Sequence, residues 1–255
     1  MALRKLEKAA VEAGSILCFG IDPKPMEDIV GYYSGITDML LEENLISAIK
    51  PNYAYFGALG FEGLHALKQI MDRYREKTFV ILDAKRGDIG KSSEAYAREA
   101  YDFWGADAVT VAPYMGEDSI APFIRGGKVA YVLGRTSNPG AKDFEELKCG
   151  KERVYERVCA KAAKMGAGLV VGATSDALPG IVKLVGKDVP ILVPGIGAQG
   201  GGFDVLKALK GNPLIHRVNS SSSIAFAHEK RGGSPESAAI KEAEFLSKEI
   251  GKRVF

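Results

Sequence analysis

Cysteine, histidine and tryptophan are scarce in this chain: three Cys, three His and one Trp among 255 residues. Cys18, Cys149 and Cys159 are odd in number and show no C-x-x-C spacing, which argues against a disulfide scaffold or a thiolate metal knuckle and suits a reducing compartment. Cys18 lies in an apolar run and reads as a small buried hydrophobe. His65, His216 and His228 are too scattered for a metal triad, and neither H-E-x-x-H, a Walker lysine motif nor G-x-S-x-G occurs. No apolar run approaches the roughly 18 residues of a membrane span, and the opening "MALRKLEKAAVEAG" lacks the apolar middle of a signal peptide. A cytoplasmic location is therefore expected. Charge of one sign is missing too: 34 Lys and Arg face 32 Asp and Glu without a basic block, which gives no ground for a nucleic-acid or membrane partner. Any anion site has to be local.

What the chain does have is a regular beat. Short apolar runs at Ile16–Ile21, Leu45–Ile49, Phe79–Leu82, Ala108–Ala112, Val129–Leu133, Leu169–Val171, Ile191–Val193 and Ile215–Val218 read as eight strands. Helix-like stretches such as Gly63–Arg75, Ser92–Trp104, Lys151–Met165, Phe203–Leu209 and Pro235–Ile250 separate them. Strands alternating with helices imply right-handed crossovers and a parallel sheet, and eight units at this length favour a closed (β/α)8 TIM barrel over an open doubly wound sheet. No linker or low-complexity tract interrupts the chain, so residues 1–255 are expected to form a single domain. Pro23–Thr37 and Ala227–Glu236 read as surface loops.

Barrels of this kind carry their chemistry at the C-terminal ends of the strands. Polar residues collect there: Asp22 after the first run, Lys50 after the second, Asp83 and Lys85 after the third, Arg135-Thr136-Ser137 after the fifth and Asn219-Ser220-Ser221 after the eighth. The third is the most pointed, because "VILDAKRGDIG" ends a fully apolar strand in Asp83, Lys85, Arg86 and Asp88, and unpaired charge in a core is costly. Asp83 and Lys85 are two apart, so they project to one side of a strand and can pair inside the mouth. With Lys50 and Asp88 they would form an alternating array of two cations and two anions. A structural ion-pair network at the rim is the plainer alternative. The glycine-rich "VPGIGAQGGG", Val193 to Gly202, and the serines that follow strand eight stand where barrels commonly bind phosphate, with Gly201, Ser222 and Ser223 as candidate contacts. "GIGAQGG" does not follow a first strand and has no nicotinamide fingerprint, so neither that cofactor nor a metal is implied.

Taken together, "FGIDP", "IKPNYAYF", "LDAKRGDIG", "RTSNPGA" and "VPGIGAQGG" resemble, in order and over nearly the whole chain, the landmarks of the orotidine 5′-phosphate decarboxylase family in its longer D-A-K-R-G-D form. The resemblance implies a (β/α)8 barrel, a homodimer, and cofactor-free conversion of orotidine 5′-monophosphate to UMP and carbon dioxide. It makes Lys50, Asp83, Lys85 and Asp88 a catalytic tetrad, with Asp88 reaching into the partner's site and Lys85 protonating C6 of the pyrimidine. It also implies that Asp22 and Lys50 hold ribose hydroxyls and that Ile89 and Ser92 contribute from the partner. Ser137 would touch the pyrimidine, while Pro194 and Gln199 would belong to a loop closing over base and phosphate. One position departs from the pattern: the family usually has a phosphate-binding Arg where this chain has Ser222. Arg217 or another cation could substitute, the loop N–H groups could suffice, or activity could be reduced. The alternatives are a metal-dependent sugar-phosphate decarboxylase on the same scaffold, or a non-catalytic nucleotide-binding paralogue.

Overall fold

The computed structural model describes residues 2–174, 176–196 and 202–255. Eight parallel strands close on themselves: β1 (Leu17–Ile21), β2 (Ala48–Pro51), β3 (Phe79–Arg86), β4 (Ala108–Val111), β5 (Val129–Arg135), β6 (Gly168–Val171), β7 (Ile191–Pro194) and β8 (Arg217–Ser220). Each pairs with its sequence neighbours, and β8 returns to β1 through Leu17 opposite Val218. The expected barrel is thus observed, each of the eight apolar runs overlapping one strand, though β2 and β8 begin later than the runs Leu45–Ile49 and Ile215–Val218. A two-residue antiparallel hairpin, Lys148–Cys149 with Glu152–Arg153, precedes the helix Val154–Lys164.

Alternation along the strands sorts the side chains into layers. Cys18, Ala48, Phe79, Ile81, Ala108, Tyr131, Val170 and Leu192 pack together as the barrel interior, and a much larger cluster forms between the strands and the outer helices. A strand has a two-residue period, so stepping two residues toward the C-terminal end of each strand reaches the mouth layer. From the interior residues this step gives Gly20, Lys50, Asp83, Thr110, Leu133, Gly172 and Pro194. The same pattern that fills the core therefore aims one cation, one anion and one hydroxyl into a common space.

The opposite end is sealed. The N-terminal helix Ala2–Ala13 lays the fully buried Leu6 against the interior, and Arg217 donates to the carbonyls of Leu6, Leu214 and His216 there. This answers one question left by the sequence: Arg217 is fully buried at the closed end and cannot stand in for a phosphate cation at the mouth.

Two loop expectations need correction. Within Pro23–Thr37, residues from Ile29 onward belong to the helix Ile29–Glu42, capped by Asp28, whose side chain accepts from the Gly31 N–H at 2.7 Å. Tyr33, Ile36, Thr37 and Leu40 bury one face at helical spacing, a pattern obscured in the sequence by Gly31 and Gly35. Within Ala227–Glu236, a short helix His228–Arg231 precedes the last helix, Pro235–Val254. There the Ser234 hydroxyl caps the Ser237 N–H at 3.2 Å and Pro235 occupies the first turn.

Candidate active site

The mouth opens into a cavity of about 750 Å³, a size suited to one nucleotide-sized ligand. Asp83 is part of its lining and gathers three donors. Lys50 Nζ donates to Asp83 Oδ2 at 2.7 Å, Lys85 Nζ to Oδ1 at 2.6 Å, and the Thr110 hydroxyl to Oδ1 at 2.9 Å. Burial alone would push the Asp83 carboxyl up, but the two ammonium groups outweigh it and hold the carboxyl well below the usual carboxylate range. Burial likewise disfavours charge on Lys50, yet Asp83, with Asp22 behind it, keeps its ammonium more firmly protonated than an ordinary lysine. Lys50 and Asp83 thus form a fully ionised pair at neutral pH.

Their exposures differ in a way that separates their tasks. The Lys50 side chain is 4% exposed and that of Asp83 9%, whereas Lys85 is 51% exposed and presents its ammonium to the cavity. The backbone helps to aim it: Lys85 has φ of +47°, in the left-handed region that side chains seldom adopt, and the β3–β4 register breaks between Leu82 and Arg86. The Lys85 N–H is held at 2.9 Å by Thr110 Oγ1. Past this kink Arg86 still pairs with Val111 of β4, but its side chain does not line the cavity. It forms a bidentate pair with Glu99 at 3.0 and 2.7 Å, with Tyr53 and Tyr96 rings against its guanidinium. Of the four charges that end β3, two therefore enter the mouth and one anchors its outer edge.

The fourth, Asp88, does not line this chain's cavity; its carboxylate accepts the Ile89 N–H at 2.7 Å. Ile89, 60% exposed, and the exposed Ser92 also face outward. Asp22, Ser137, Pro194 and Ser222 line the cavity, while Ser223 does not and instead shares a 2.5 Å contact with the Ser220 hydroxyl. Gln199 and Gly201 lie outside the described residues. Within one chain the structure brings together three members of the expected tetrad.

Asp22 Oδ1 and Asn219 Oδ1 are buried without a hydrogen-bond partner, two acceptors placed where a ligand hydroxyl or amide can satisfy them. On the far wall Glu145 ties down the loop bearing Ser137, accepting from the Thr136 N–H at 2.8 Å and its hydroxyl at 2.7 Å. A Cβ at Gly172 would fall 2.8 Å from Ser137 Cα, so the end of β6 has room for this loop only with glycine there.

Asn219, read from the sequence at the end of the eighth run, lines the cavity, as do Thr110, Asn52, Tyr55, Lys24 and Phe226, which no sequence signal singled out. Thr110 sits inside an apolar run, and only the two-residue step from Ala108 would have found it. Among the described residues, no group of three or more His, Cys, Asp or Glu side chains is placed to share a metal ion.

Residues 15–224 match the model of the orotidine 5′-phosphate decarboxylase / HUMPS family. The chain is 38% identical over 261 residues to an orotidine 5′-phosphate decarboxylase of Herpetosiphon aurantiacus, covering 96% of each chain. It is 41% identical over 251 residues to one from Variovorax paradoxus, covering 88% of this chain and 89% of the other. Among solved structures, the OMP decarboxylase of Leishmania donovani superposes with a TM-score of 0.81 at 33% identity, over 100% of this chain and 99% of that one. The UMP synthase of the same organism gives 0.80 at 34% identity, with 98% of this chain matching 56% of the longer one.

Proposed function

Because the chain belongs to the orotidine 5′-phosphate decarboxylase family, we propose a division of labour among its cavity residues for that family's reaction. The enzyme is a carboxy-lyase that converts orotidine 5′-monophosphate to UMP and carbon dioxide in pyrimidine biosynthesis. The bond from C6 to the carboxyl carbon breaks, the electron pair stays on C6, and a proton must reach that carbon. The observation that carries the reading is Asp83 held between Lys50 and Lys85 at 2.7 and 2.6 Å on the floor of the cavity.

Lys85 is the cation beside C6 and the acid that protonates it. Its ammonium faces the cavity, and an ordered cation in a site closed from water stabilises a developing carbanion far more than one in bulk solvent. Asp83 is fixed by three donors, so it cannot swing away when the substrate carboxylate arrives nearby. Two lysines on one aspartate leave this triad with one net positive charge, which suits a substrate entering with a carboxylate. Lys50 and the unpartnered Asp22 Oδ1 engage the ribose hydroxyls, and Ser137 and Pro194 flank the pyrimidine. Gln199 and Gly201, with Ser222 and Ser223, belong to the phosphate end by sequence position.

The enzyme acts as a cytoplasmic homodimer, with Asp88, Ile89 and Ser92 serving the partner's site. Support comes from their outward placement beside a string of exposed apolar side chains on the segments after β3 and β4: Ile89, Tyr96, Phe103, Tyr114 and Met115. Neither metal nor organic cofactor enters the chemistry, since Lys85 supplies both charge and proton. The test is ultraviolet absorbance on adding orotidine 5′-monophosphate to protein in excess chelator. Loss of the orotate chromophore is expected, and a requirement for added divalent metal would overturn the scheme.

A further inference from the structure

The substrate carries a phosphate dianion, yet the loops at the phosphate end bring no cation to it. Neither residues 195–202 nor residues 219–227 contain a lysine or an arginine. Hydroxyl and backbone N–H groups there offer neutral hydrogen bonds, which are weaker toward phosphate than charge-assisted ones. Among the described residues lining the cavity, the cations are Lys24, Lys50 and Lys85. Lys50 and Lys85 are committed to Asp83, on the floor. Lys24 is not.

Lys24 follows β1, which pairs with β8, and its ammonium lies 3.8 Å from the centroid of the Phe226 ring. Phe226 and Ser222 line the same cavity, and the Phe226 N–H donates to the Ser222 carbonyl at 3.0 Å, so the aromatic ring carrying Lys24 is one turn from Ser222. Its ion-pair partner is Glu229, at 3.5 Å, with both side chains 56% exposed. A long, exposed pair of this kind contributes little and is readily exchanged for a better anion. Phe226 restricts the lysine by a cation–π contact without neutralising it.

We propose that Lys24 supplies the cation that binds the substrate's 5′-phosphate, exchanging Glu229 for the phosphate oxygens when the nucleotide enters. This rests on the decarboxylase reading and adds a specificity residue to it. The phosphate end of the site is then built from β1 and β8 together, with charge from one strand end and hydroxyl groups from the other.

The test compares the unaltered enzyme with Lys24→Met and Glu229→Gln, measuring KM for orotidine 5′-monophosphate and the dissociation constants of UMP and uridine by calorimetry. Lys24→Met is expected to weaken UMP and raise KM by about 10- to 100-fold, the range of a lost charge-assisted contact, and to leave uridine unchanged. Glu229→Gln, which removes a competing anion, is expected to tighten UMP. UMP affinity within twofold of the unaltered enzyme in Lys24→Met, or equal losses for UMP and uridine, would overturn the assignment while the decarboxylase reading stood. An unaltered enzyme that neither turns over the substrate nor binds UMP would overturn both.

Discussion

The backbone N–H of Lys85 is held by the hydroxyl oxygen of Thr110 at 2.9 Å, at a residue whose φ is +47°. The same hydroxyl donates its proton to Asp83 Oδ1 at 2.9 Å. One fully buried side chain thus fixes both the strained main chain that aims Lys85 and the carboxylate that orients its ammonium.

Thr110→Val keeps the shape and removes both bonds. The expected outcome is a fall in kcat of about 10- to 100-fold with a much smaller change in KM, because the loss is in the placement of the reacting groups rather than in nucleotide binding. Thr110→Ser retains the hydroxyl and should recover most of the rate. Steady-state kinetics on the two variants decides; equal activity of Val and Ser variants would show that the hydroxyl does not position the lysine.

Lys85→Ala should abolish nearly all turnover without unfolding the protein. Its side chain is half exposed, so little packing is lost, and Asp83 keeps Lys50 and Thr110 as partners. A circular dichroism spectrum and melting temperature near native, combined with substantial residual activity, would remove Lys85 from the role of acid. Lys50→Ala should behave differently. Removing the fully enclosed partner of Asp83 leaves a buried charge half compensated, at a cost of about 3–5 kcal/mol, so stability should fall together with rate.

The contrast between these residues shows what a sequence can disclose. Asp83 and Lys85 were legible because charge interrupts an apolar run, and the barrel because eight such runs alternate with helical segments. Thr110 was hidden inside its run, since a hydroxyl at a strand position looks the same whether it faces the mouth or a helix. Lys24 was hidden because the stretch around it read as a loop without a preferred direction. Arg217 illustrates the converse: a cation near the eighth strand looked available, but the sequence does not say at which end of the barrel it enters, and it enters at the closed one. Asp88 was legible through its motif, yet it does not line the cavity of its own chain, and a single chain's strand pattern does not say which site it serves.

The proposed sharing of Asp88 between subunits makes a direct prediction about mixed dimers. If Asp88 serves the partner, Lys85→Ala and Asp88→Ala chains are each inactive alone, and a mixed dimer carries one site with both defects and one with neither. Unfolding and refolding an equimolar mixture should restore about a quarter of native activity, as half the dimers are mixed and each has one intact site. No recovery, with dimers present by light scattering, would place Asp88 in its own chain's site.

Ser222→Arg should lower KM for orotidine 5′-monophosphate. Ser222 lines the cavity near Phe226, and a guanidinium there could form two charge-assisted bonds to phosphate where serine forms one neutral bond. The gain should shrink as salt rises. An unchanged KM at low ionic strength would mean that position 222 does not face the phosphate.

The pH dependence of stability should carry the mark of His216, at the closed end and remote from the chemistry. Burial, with the nearby Arg217 guanidinium, pushes its imidazole down to about 4, and its neutral Nδ1 accepts the Ile191 N–H at 3.1 Å. In the unfolded chain the same group titrates near 6.5, so between those values the unfolded state binds the extra proton. Stability conferred by the neutral form is therefore complete above about pH 6.5, falls as pH drops through the window, and falls no further from this source below about pH 4. Asp83 has the depressed-acid behaviour: its contribution is complete above the ordinary carboxylate range and is lost as pH falls through that range and below it, mostly at lower pH than the His216 window. Urea unfolding at pH 7.5 and pH 5 should differ by about 2 kcal/mol, and His216→Gln should be less stable at pH 7.5 but flatter between the two pH values. An undiminished slope in that variant would assign the acid sensitivity to other groups.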